Sequence, residues 1–127
     1  MTPTEPSGRG TRVLIIEDHP ATAGILRGLL EAFGYVVRVA YTGPEGVHLA
    51  EEWPPDVVLC DISLPGLDGW GVATALRRNP ATAHARLIAV TAYDSAAYKQ
   101  RSEEVGFECH LVKPVNPGLL LKLLATG

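Results

Sequence analysis

The chain has 127 residues, which is enough for one domain of ordinary size with a single core. Its 14 acidic residues outnumber its 11 lysines and arginines, giving a net charge of -3, so we expect no direct contact with nucleic acid. No apolar stretch approaches the roughly 18 residues of a membrane span, and the N-terminus lacks the apolar stretch of a signal peptide, so we expect a cytoplasmic protein without membrane contact.

The N-terminal residues 1–10 differ in composition from the rest of the chain. They contain two prolines, two glycines and no aliphatic residue that could anchor them to a core. We therefore expect a flexible tail at 1–10 and one domain over 11–127.

From Arg12 onward, short apolar runs alternate with segments of helical period, which is typical of βαβ units in a parallel sheet covered on both faces. Cys60 and Cys109 each lie in an apolar run and outside any CxxC pair, so we expect two free thiols that pack as small hydrophobes. The pattern predicts strands near 12–16, 35–39, 56–60, 87–90 and 108–112.

The intervening segments carry signals for the starts and ends of helices. The first predicted helix ends at Gly34 and has a wide apolar stripe formed by Ala21, Thr22, Ile25, Leu26, Leu29, Leu30 and Phe33. Thr42 and Glu45 form a candidate capping box for the second helix, which ends before Pro54.

The last three helices are predicted in the same way. The third begins after Gly69 and ends near Pro80, and the fourth, near 95–105, has so few apolar residues that we expect it to be the most loosely held. Pro117 opens the last helix, whose predicted buried face consists of Leu119, Leu120, Leu123 and Leu124.

These elements predict a doubly wound α/β fold with a five-stranded parallel sheet of order 2-1-3-4-5. In that order the first and third strands are neighbours, and ligands bind at the carboxyl ends of such strands. Glu17 and Asp18 follow the first strand and Asp61 follows the third, so three carboxylates converge. Such a cluster is costly unless a cation lies among the carboxylates, so the sequence indicates a site at this edge of the sheet.

Four motifs in this order resemble the receiver domain of bacterial two-component response regulators. The resemblance runs from about Arg12 to Leu124 and implies the flavodoxin-like, CheY-like form of this fold, a three-layer sandwich. The motifs are Glu17-Asp18, the segment Asp-Ile-Ser-Leu-Pro-Gly-Leu-Asp-Gly at 61–69, Thr91-Ala92 and Lys113-Pro114-Val115.

The resemblance implies a phosphoacceptor role for Asp61. Its carboxylate would take a phosphoryl group from a histidine carried by a sensor histidine kinase or a histidine phosphotransfer protein. The implied cofactor is Mg²⁺, which prefers hard oxygen ligands. Asp18, Asp61 and the backbone carbonyl of Ser63 would bind the ion directly, and Glu17 would bind it through a water molecule.

The resemblance also implies roles for residues at the ends of the last two strands. Lys113 would place a positive charge, and Thr91 a hydroxyl group, on phosphoryl oxygens, with a cis Pro114 aiming the lysine. Ser63 and Tyr93 would gate the attacking water. The phosphorylated domain would switch a surface that contacts a downstream protein or fused domain, and it would catalyse only its own phosphorylation and dephosphorylation.

The chain departs from the commonest receiver pattern at two positions. Glu17 stands where most receivers have aspartate, and its longer side chain should still reach a metal-bound water. His110 stands where many receivers have a Tyr or Phe that rotates inward as the switch threonine moves. We therefore expect the conformational switch to depend on Thr91 more than on rotation of a ring at position 110.

Two other classes of protein remain open at this point. Phosphatases of the haloacid dehalogenase type also use an aspartate nucleophile and Mg²⁺, but they have a second aspartate two residues later, where this chain has Ser63. A pseudo-receiver would fold without accepting a phosphoryl group, which the intact Asp18, Asp61, Thr91 and Lys113 argue against. The sequence also leaves open whether the domain acts alone or belongs to a longer protein.

Overall fold

A computed structural model describes residues 10–126, so all but Gly10 of the expected tail lies outside the described residues. The strands are β1 (Arg12–Ile16), β2 (Val36–Ala40), β3 (Val57–Asp61), β4 (Arg86–Thr91) and β5 (Cys109–Val112). The helices are α1 (Pro20–Ala32), α2 (Gly43–Glu52), α3 (Gly69–Arg78), α4 (Ala96–Glu104) and α5 (Pro117–Ala125). Strands and helices alternate along the described part of the chain, as predicted.

The strands form one parallel sheet of order β2-β1-β3-β4-β5, which confirms the predicted topology. Ile16 of β1 is in register with Cys60 of β3, so Glu17 and Asp61, the next residues, leave the sheet at the same edge. Asp61 is in turn in register with Val90 of β4, which brings Thr91 to that edge as well. Thr91 is in register with Val112 of β5, which brings Lys113 to that edge too, so the register alone gathers all four motifs.

The core lies in two layers, one on each face of the sheet. Leu14 and Ile16 of β1 face the layer that contains Leu76 of α3, whereas Val13 and Ile15 face the opposite layer. The second layer is completed by residues of α1 and α5, namely Ala23, Leu26, Leu30, Leu120 and Leu124. Because successive strand residues point to opposite faces, continuous apolar runs are what a sheet covered on both sides requires.

The predicted helix faces were partly wrong. In α1 the buried residues are Ala23, Leu26 and Leu30, whereas Ile25 is 73% exposed and Phe33 is also exposed. In α5, Leu120 and Leu124 are buried but Leu119 is 52% exposed. A helix packed on a sheet buries only one stripe, so an apolar set wider than that stripe leaves some members in solvent.

The helix caps follow the sequence signals closely. The side chain of Thr42 accepts a hydrogen bond from the Glu45 N–H at 3.1 Å at the start of α2. The Asp68 carboxylate accepts one from the Gly71 N–H at 2.9 Å at the start of α3. These bonds satisfy backbone donors that the first turn of a helix leaves unpaired.

Helix α4 has one buried residue, Ser102, in agreement with its sparse apolar content. Its C-terminal end is held by Arg77 of α3. The Arg77 guanidinium donates to the carbonyl of Gly106 at 2.6 Å and to that of Ala85 at 2.7 Å. It therefore joins the turn before β4 to the turn after α4.

Both cysteines are free thiols, as predicted. Burial raises the pKa of Cys60 far above its ordinary value and that of Cys109 to about 11, so both thiols are protonated at neutral pH. Within residues 10–126, no helix is both long and apolar enough to span a bilayer.

Candidate functional site

Three carboxylates and one ammonium group meet at the carboxyl edge of the sheet. Glu17 directly follows β1 and Asp61 ends β3, and both are almost fully buried, with 2% and 4% exposure. The Nζ atom of Lys113 donates to Oε1 of Glu17 at 2.8 Å and to Oδ2 of Asp61 at 2.7 Å. The lysine therefore bridges two acidic groups that come from neighbouring strands.

Lys113 reaches this position from the loop that follows β5. Its backbone N–H donates to the Thr91 carbonyl at 2.7 Å, and the Lys113–Pro114 peptide is cis, as the resemblance implied. Burial lowers the pKa of Lys113, but the hydrogen bonds that it donates to Asp61 and Glu17, together with their negative charges, raise it by more, so the pKa lies above its ordinary value. The ammonium group is therefore charged at neutral pH and offsets part of the negative charge in the site.

The two oxygens of Asp61 have different partners. Oδ2 accepts from Lys113, whereas Oδ1 accepts from the backbone N–H of Ser63 at 2.9 Å. This arrangement fixes the orientation of the carboxylate plane. The Ser63 N–H contact was absent from the sequence interpretation, because it depends on how the loop after β3 turns back toward the strand end.

Asp18 supplies a carboxylate oxygen, Oδ1, that is buried and accepts no hydrogen bond. The Nδ1 atom of His19 lies 3.3 Å from it and equally far from Oε2 of Glu17, but only the contact with Glu17 has the geometry of a hydrogen bond. Possible ligand atoms of these three residues all lie within 4.8 Å of one another. A buried, unbonded oxygen among hard oxygen donors fits a small divalent cation such as Mg²⁺.

His19 also lies beside this cluster. It is the N-cap residue of α1 but forms no side-chain cap, and its side chain is 70% exposed. Its backbone N–H donates to Oε2 of Glu17 at 3.1 Å. The only sequence signal for this contact was its place directly after the acidic pair.

Thr91 and Tyr93 lie next to the carboxylates on the β4 side. Thr91 ends β4, is fully buried, and its hydroxyl accepts the Tyr93 N–H at 3.1 Å. The ring of Tyr93 is half-exposed and packs on the ring of Tyr98 in α4, with centroids 5.1 Å apart. The proposed gating of water by Tyr93 and Ser63 remains a prediction.

His110, in the middle of β5, contacts the same loop. Its Nε2 atom lies 2.9 Å from the carbonyl oxygen of Tyr93, and its Nδ1 atom is buried without a hydrogen bond. Because a carbonyl group only accepts, Nε2 carries the proton in this contact. His110 is thus bonded to the β4–α4 loop. At the position of His110, many receivers have an aromatic ring that rotates.

A mostly apolar cavity of about 420 Å³ adjoins the site. It lies between α1 and the loop after β5, and Lys113 forms part of its wall beside Ile25 and Leu26. The other lining residues are Thr22, Val90, Pro114 and Val115. Lys113 is therefore shared between this cavity and the acidic site.

Comparisons with known proteins identify the family to which this arrangement belongs. Residues 13–125 match the model of the response regulator receiver domain. The chain is 37% identical over 113 residues to protein PilH of Pseudomonas aeruginosa, covering 89% of this chain and 93% of PilH. It is 35% identical over 104 residues to the polar-differentiation response regulator DivK of Brucella abortus, covering 82% of this chain and 85% of DivK.

Solved structures agree with this result. The chemotaxis protein CheY4 of Vibrio cholerae superposes with a TM-score of 0.88 at 29% identity, covering 92% of this chain and 98% of CheY4. The receiver domain of the sensor histidine kinase PA1611 of Pseudomonas aeruginosa, solved with a magnesium ion in its active-site cleft, gives 0.84 at 27% identity, covering 92% and 96%. These matches support the receiver interpretation over the haloacid dehalogenase alternative. The chain belongs to the response regulator receiver domain family.

Proposed function

We propose that Asp61 is the phosphoacceptor through which this receiver domain takes part in two-component signalling. The observation that carries the proposal is the buried Asp61 carboxylate, held by Lys113 on one oxygen and by the Ser63 N–H on the other. A carboxylate fixed in this way presents a preoriented nucleophile, with a cation already placed for charge that develops on a phosphoryl group.

In the proposed reaction, a carboxylate oxygen of Asp61 attacks the phosphorus of a phosphohistidine on the donor protein. A P–O bond forms as the P–N bond breaks, and the electron pair of that bond returns to the imidazole nitrogen. The ring leaves as neutral imidazole because its other nitrogen carries a proton. Because such transfers have a loose transition state, the protein contributes mainly by positioning and charge neutralisation. Lys113 and the Thr91 hydroxyl are the groups we assign to the phosphoryl oxygens.

The family and the unbonded Asp18 oxygen support Mg²⁺ as the cofactor. We propose that Asp18, Asp61 and the Ser63 carbonyl hold the ion directly and that Glu17 holds it through a water molecule. When bound, the ion would neutralise negative charge on the carboxylates and on the phosphoryl group.

We further propose that residues 11–127 form the receiver domain. Its upstream partner would be a sensor histidine kinase or a histidine phosphotransfer protein, and its output a downstream protein or fused domain. Family membership also supports a cytoplasmic location, and a catalytic role limited to its own phosphorylation and dephosphorylation.

The test is intact-mass measurement after incubation with a small phosphodonor and Mg²⁺. The wild type should gain one phosphoryl group, an increment of about 80 Da, that is stable in acid and labile in base. Asp61→Asn should abolish the adduct, whereas Asp94→Asn, which changes an exposed aspartate beyond β4, should retain it.

Two outcomes would contradict the proposal in different ways. A wild type that gains no adduct would indicate a pseudo-receiver that folds but is chemically silent. Steady hydrolysis of phosphate esters would instead indicate a phosphatase.

A further inference from the structure

Tyr93 contacts three separate elements of the domain. Its N–H donates to the Thr91 hydroxyl at 3.1 Å, its carbonyl faces Nε2 of His110 at 2.9 Å, and its ring packs on Tyr98 of α4. One residue thus joins the end of β4, the middle of β5 and the first turn of α4.

The contacts continue beyond Tyr98 onto α3. The rings of Tyr98 and Trp70 have centroids 4.8 Å apart, and the Trp70 indole N–H donates to the Ser102 hydroxyl at 3.1 Å. The Arg101 guanidinium lies 4.2 Å from the centre of the Trp70 ring. Ser102 is the one buried residue of α4, so these aromatic and polar contacts make up a main part of the packing of α4 against the rest of the domain.

The Thr91 hydroxyl can serve two groups at once. It has one proton to donate and two lone pairs to accept, so it can donate to a phosphoryl oxygen while it still accepts the Tyr93 N–H. Movement of the hydroxyl toward a phosphoryl group therefore either draws the Tyr93 backbone along or breaks its hydrogen bond. In both cases the hold of Thr91 on the Tyr93 backbone changes.

His110 cannot act independently of this residue. Its Nε2–H is bonded to the Tyr93 carbonyl, so displacement of the imidazole disturbs the same loop. We propose that Tyr93 is the positioning residue that couples Thr91 to α4, through its backbone bonds and through its ring contact with Tyr98. This coupling takes the place of the rotation of an aromatic side chain at position 110, and it rests on the proposed function.

The experiment uses the whole chain and compares nuclear magnetic resonance spectra with and without beryllofluoride and Mg²⁺. The indole N–H of Trp70 reports on the far end of the contacts, and that of Trp53, buried at the end of α2, serves as an internal reference. In the wild type we expect the Trp70 signal to shift together with the amide signals of residues 61–66.

Substitutions then locate the coupling. Tyr93→Ala should lose more than half of the Trp70 shift while the shifts of residues 61–66 persist, and Tyr93→Phe, which keeps the ring, should restore it. Tyr98→Leu should likewise weaken the Trp70 response and provides a second variant if Tyr93→Ala folds poorly. Tyr41→Ala, at an exposed tyrosine after β2, is the matched control and should behave as the wild type.

The outcomes separate this inference from the proposed function. A full Trp70 shift in Tyr93→Ala would overturn the coupling. The coupling would also be overturned if the Trp70 shift were lost in His110→Ala but retained in Tyr93→Ala. A wild type whose signals at residues 61–66 do not respond would refute the proposed phosphoacceptor site, and the coupling would fall with it.

Discussion

At the scale of single residues, the acidic site depends on contacts between side chains that come from distant parts of the chain. Lys113 contacts Glu17 and Asp61, which lie at the ends of two other strands. The sequence places these three residues at strand ends and so at one edge of the sheet. It did not reveal that the lysine bridges two carboxylates, because that contact depends on the path of the loop after β5.

Tyr93 also affects how long a phosphoryl group would persist. We expect Tyr93→Ala to shorten the lifetime of phosphorylated Asp61, because a small side chain gives water easier access to the acyl phosphate. The measurement is the decay of the phosphorylated mass after removal of the phosphodonor. An unchanged or longer lifetime would show that Tyr93 is not part of the gate.

Arg86 and Glu108 form an ion pair whose contribution to stability depends on pH. The guanidinium donates from Nε and Nη2 to the two oxygens of Glu108, each at 2.8 Å, and also reaches the Leu123 carbonyl of α5. The hydrogen bonds from Arg86 hold the pKa of Glu108 below its ordinary value of 4.5, although burial opposes them. The stabilisation is therefore present above that pH and is lost as pH falls through the lowered pKa.

We expect Glu108→Gln to lower the free energy of unfolding by about 1 kcal/mol at pH 7, a small effect because both groups are partly exposed and screened by solvent. The loss relative to wild type should be smaller at pH 3 than at pH 7, because protonation of Glu108 weakens the pair. Denaturant unfolding at both pH values measures it, with Glu51→Gln on α2 as a control of equal charge. A difference that persists unchanged at pH 3 would mean that the ion pair is not the cause.

At the scale of elements, two helical glycines should respond in opposite ways to alanine. A Cβ at Gly69, the first residue of α3, would lie 2.6 Å from the Asp61 carbonyl oxygen, whereas one at Gly28 in α1 would meet no atom within 4 Å. The close approach at Gly69 brings the start of α3 against the end of β3, where the site lies.

We expect Gly69→Ala to destabilise the domain by about 1–3 kcal/mol, because the clash involves backbone atoms that cannot move aside. Gly28→Ala should stabilise it by about 0.5–1 kcal/mol, because glycine loses more conformational freedom on forming a helix than alanine does. Thermal and denaturant unfolding of the two variants provide the comparison. Equal effects of the same sign would contradict the steric explanation at Gly69.

The elements themselves were the most predictable part of the molecule. Prolines such as Pro117, glycines and the capping side chain of Thr42 marked the helix ends within a few residues. The buried faces were harder to predict, since Ile25 and Leu119 are apolar yet exposed. Each helix buries one stripe against the sheet, and the pattern of apolar residues does not show which members of a wider apolar set that stripe includes.

At the scale of the whole molecule, strand order was predictable because right-handed crossovers leave few alternatives for five parallel strands. That order places Glu17, Asp18 and Asp61 together, so the location of the site followed from the topology. The link from Tyr93 to Trp70 did not follow, because it joins a loop to two helices whose contact depends on side-chain packing.

Mg²⁺ should stabilise the whole domain against unfolding. A ligand that binds only the folded state raises the free energy of unfolding, by about 2.7 kcal/mol at a hundredfold excess over its dissociation constant. We expect the melting temperature to rise with Mg²⁺ and to fall back when a chelator is added. In Asp18→Asn the rise should be lost, because the variant lacks the carboxylate whose buried oxygen has no hydrogen bond.

The control for this measurement is Asp94→Asn, in which the response to Mg²⁺ should persist. An equal rise in Asp18→Asn and in wild type would show that the ion binds elsewhere. Without Mg²⁺, Asp18→Asn should be at least as stable as wild type, because one negative charge has been removed from a crowded cluster.

The Arg77 contacts affect how α4 can move. Arg77 donates a hydrogen bond to the Gly106 carbonyl in the turn after α4, and the neighbouring Phe107 is buried in the core. The opposite end of the helix begins in the exposed stretch around Ser95. The C-terminal end of α4 is therefore held at the backbone, whereas its first turn is held by the contacts of the Tyr98 ring with Tyr93 and Trp70. We expect any displacement of this helix to be a rotation about a point near Gly106, with an amplitude that increases toward Ser95. A shift at Tyr93 therefore acts near the end of α4 that moves most.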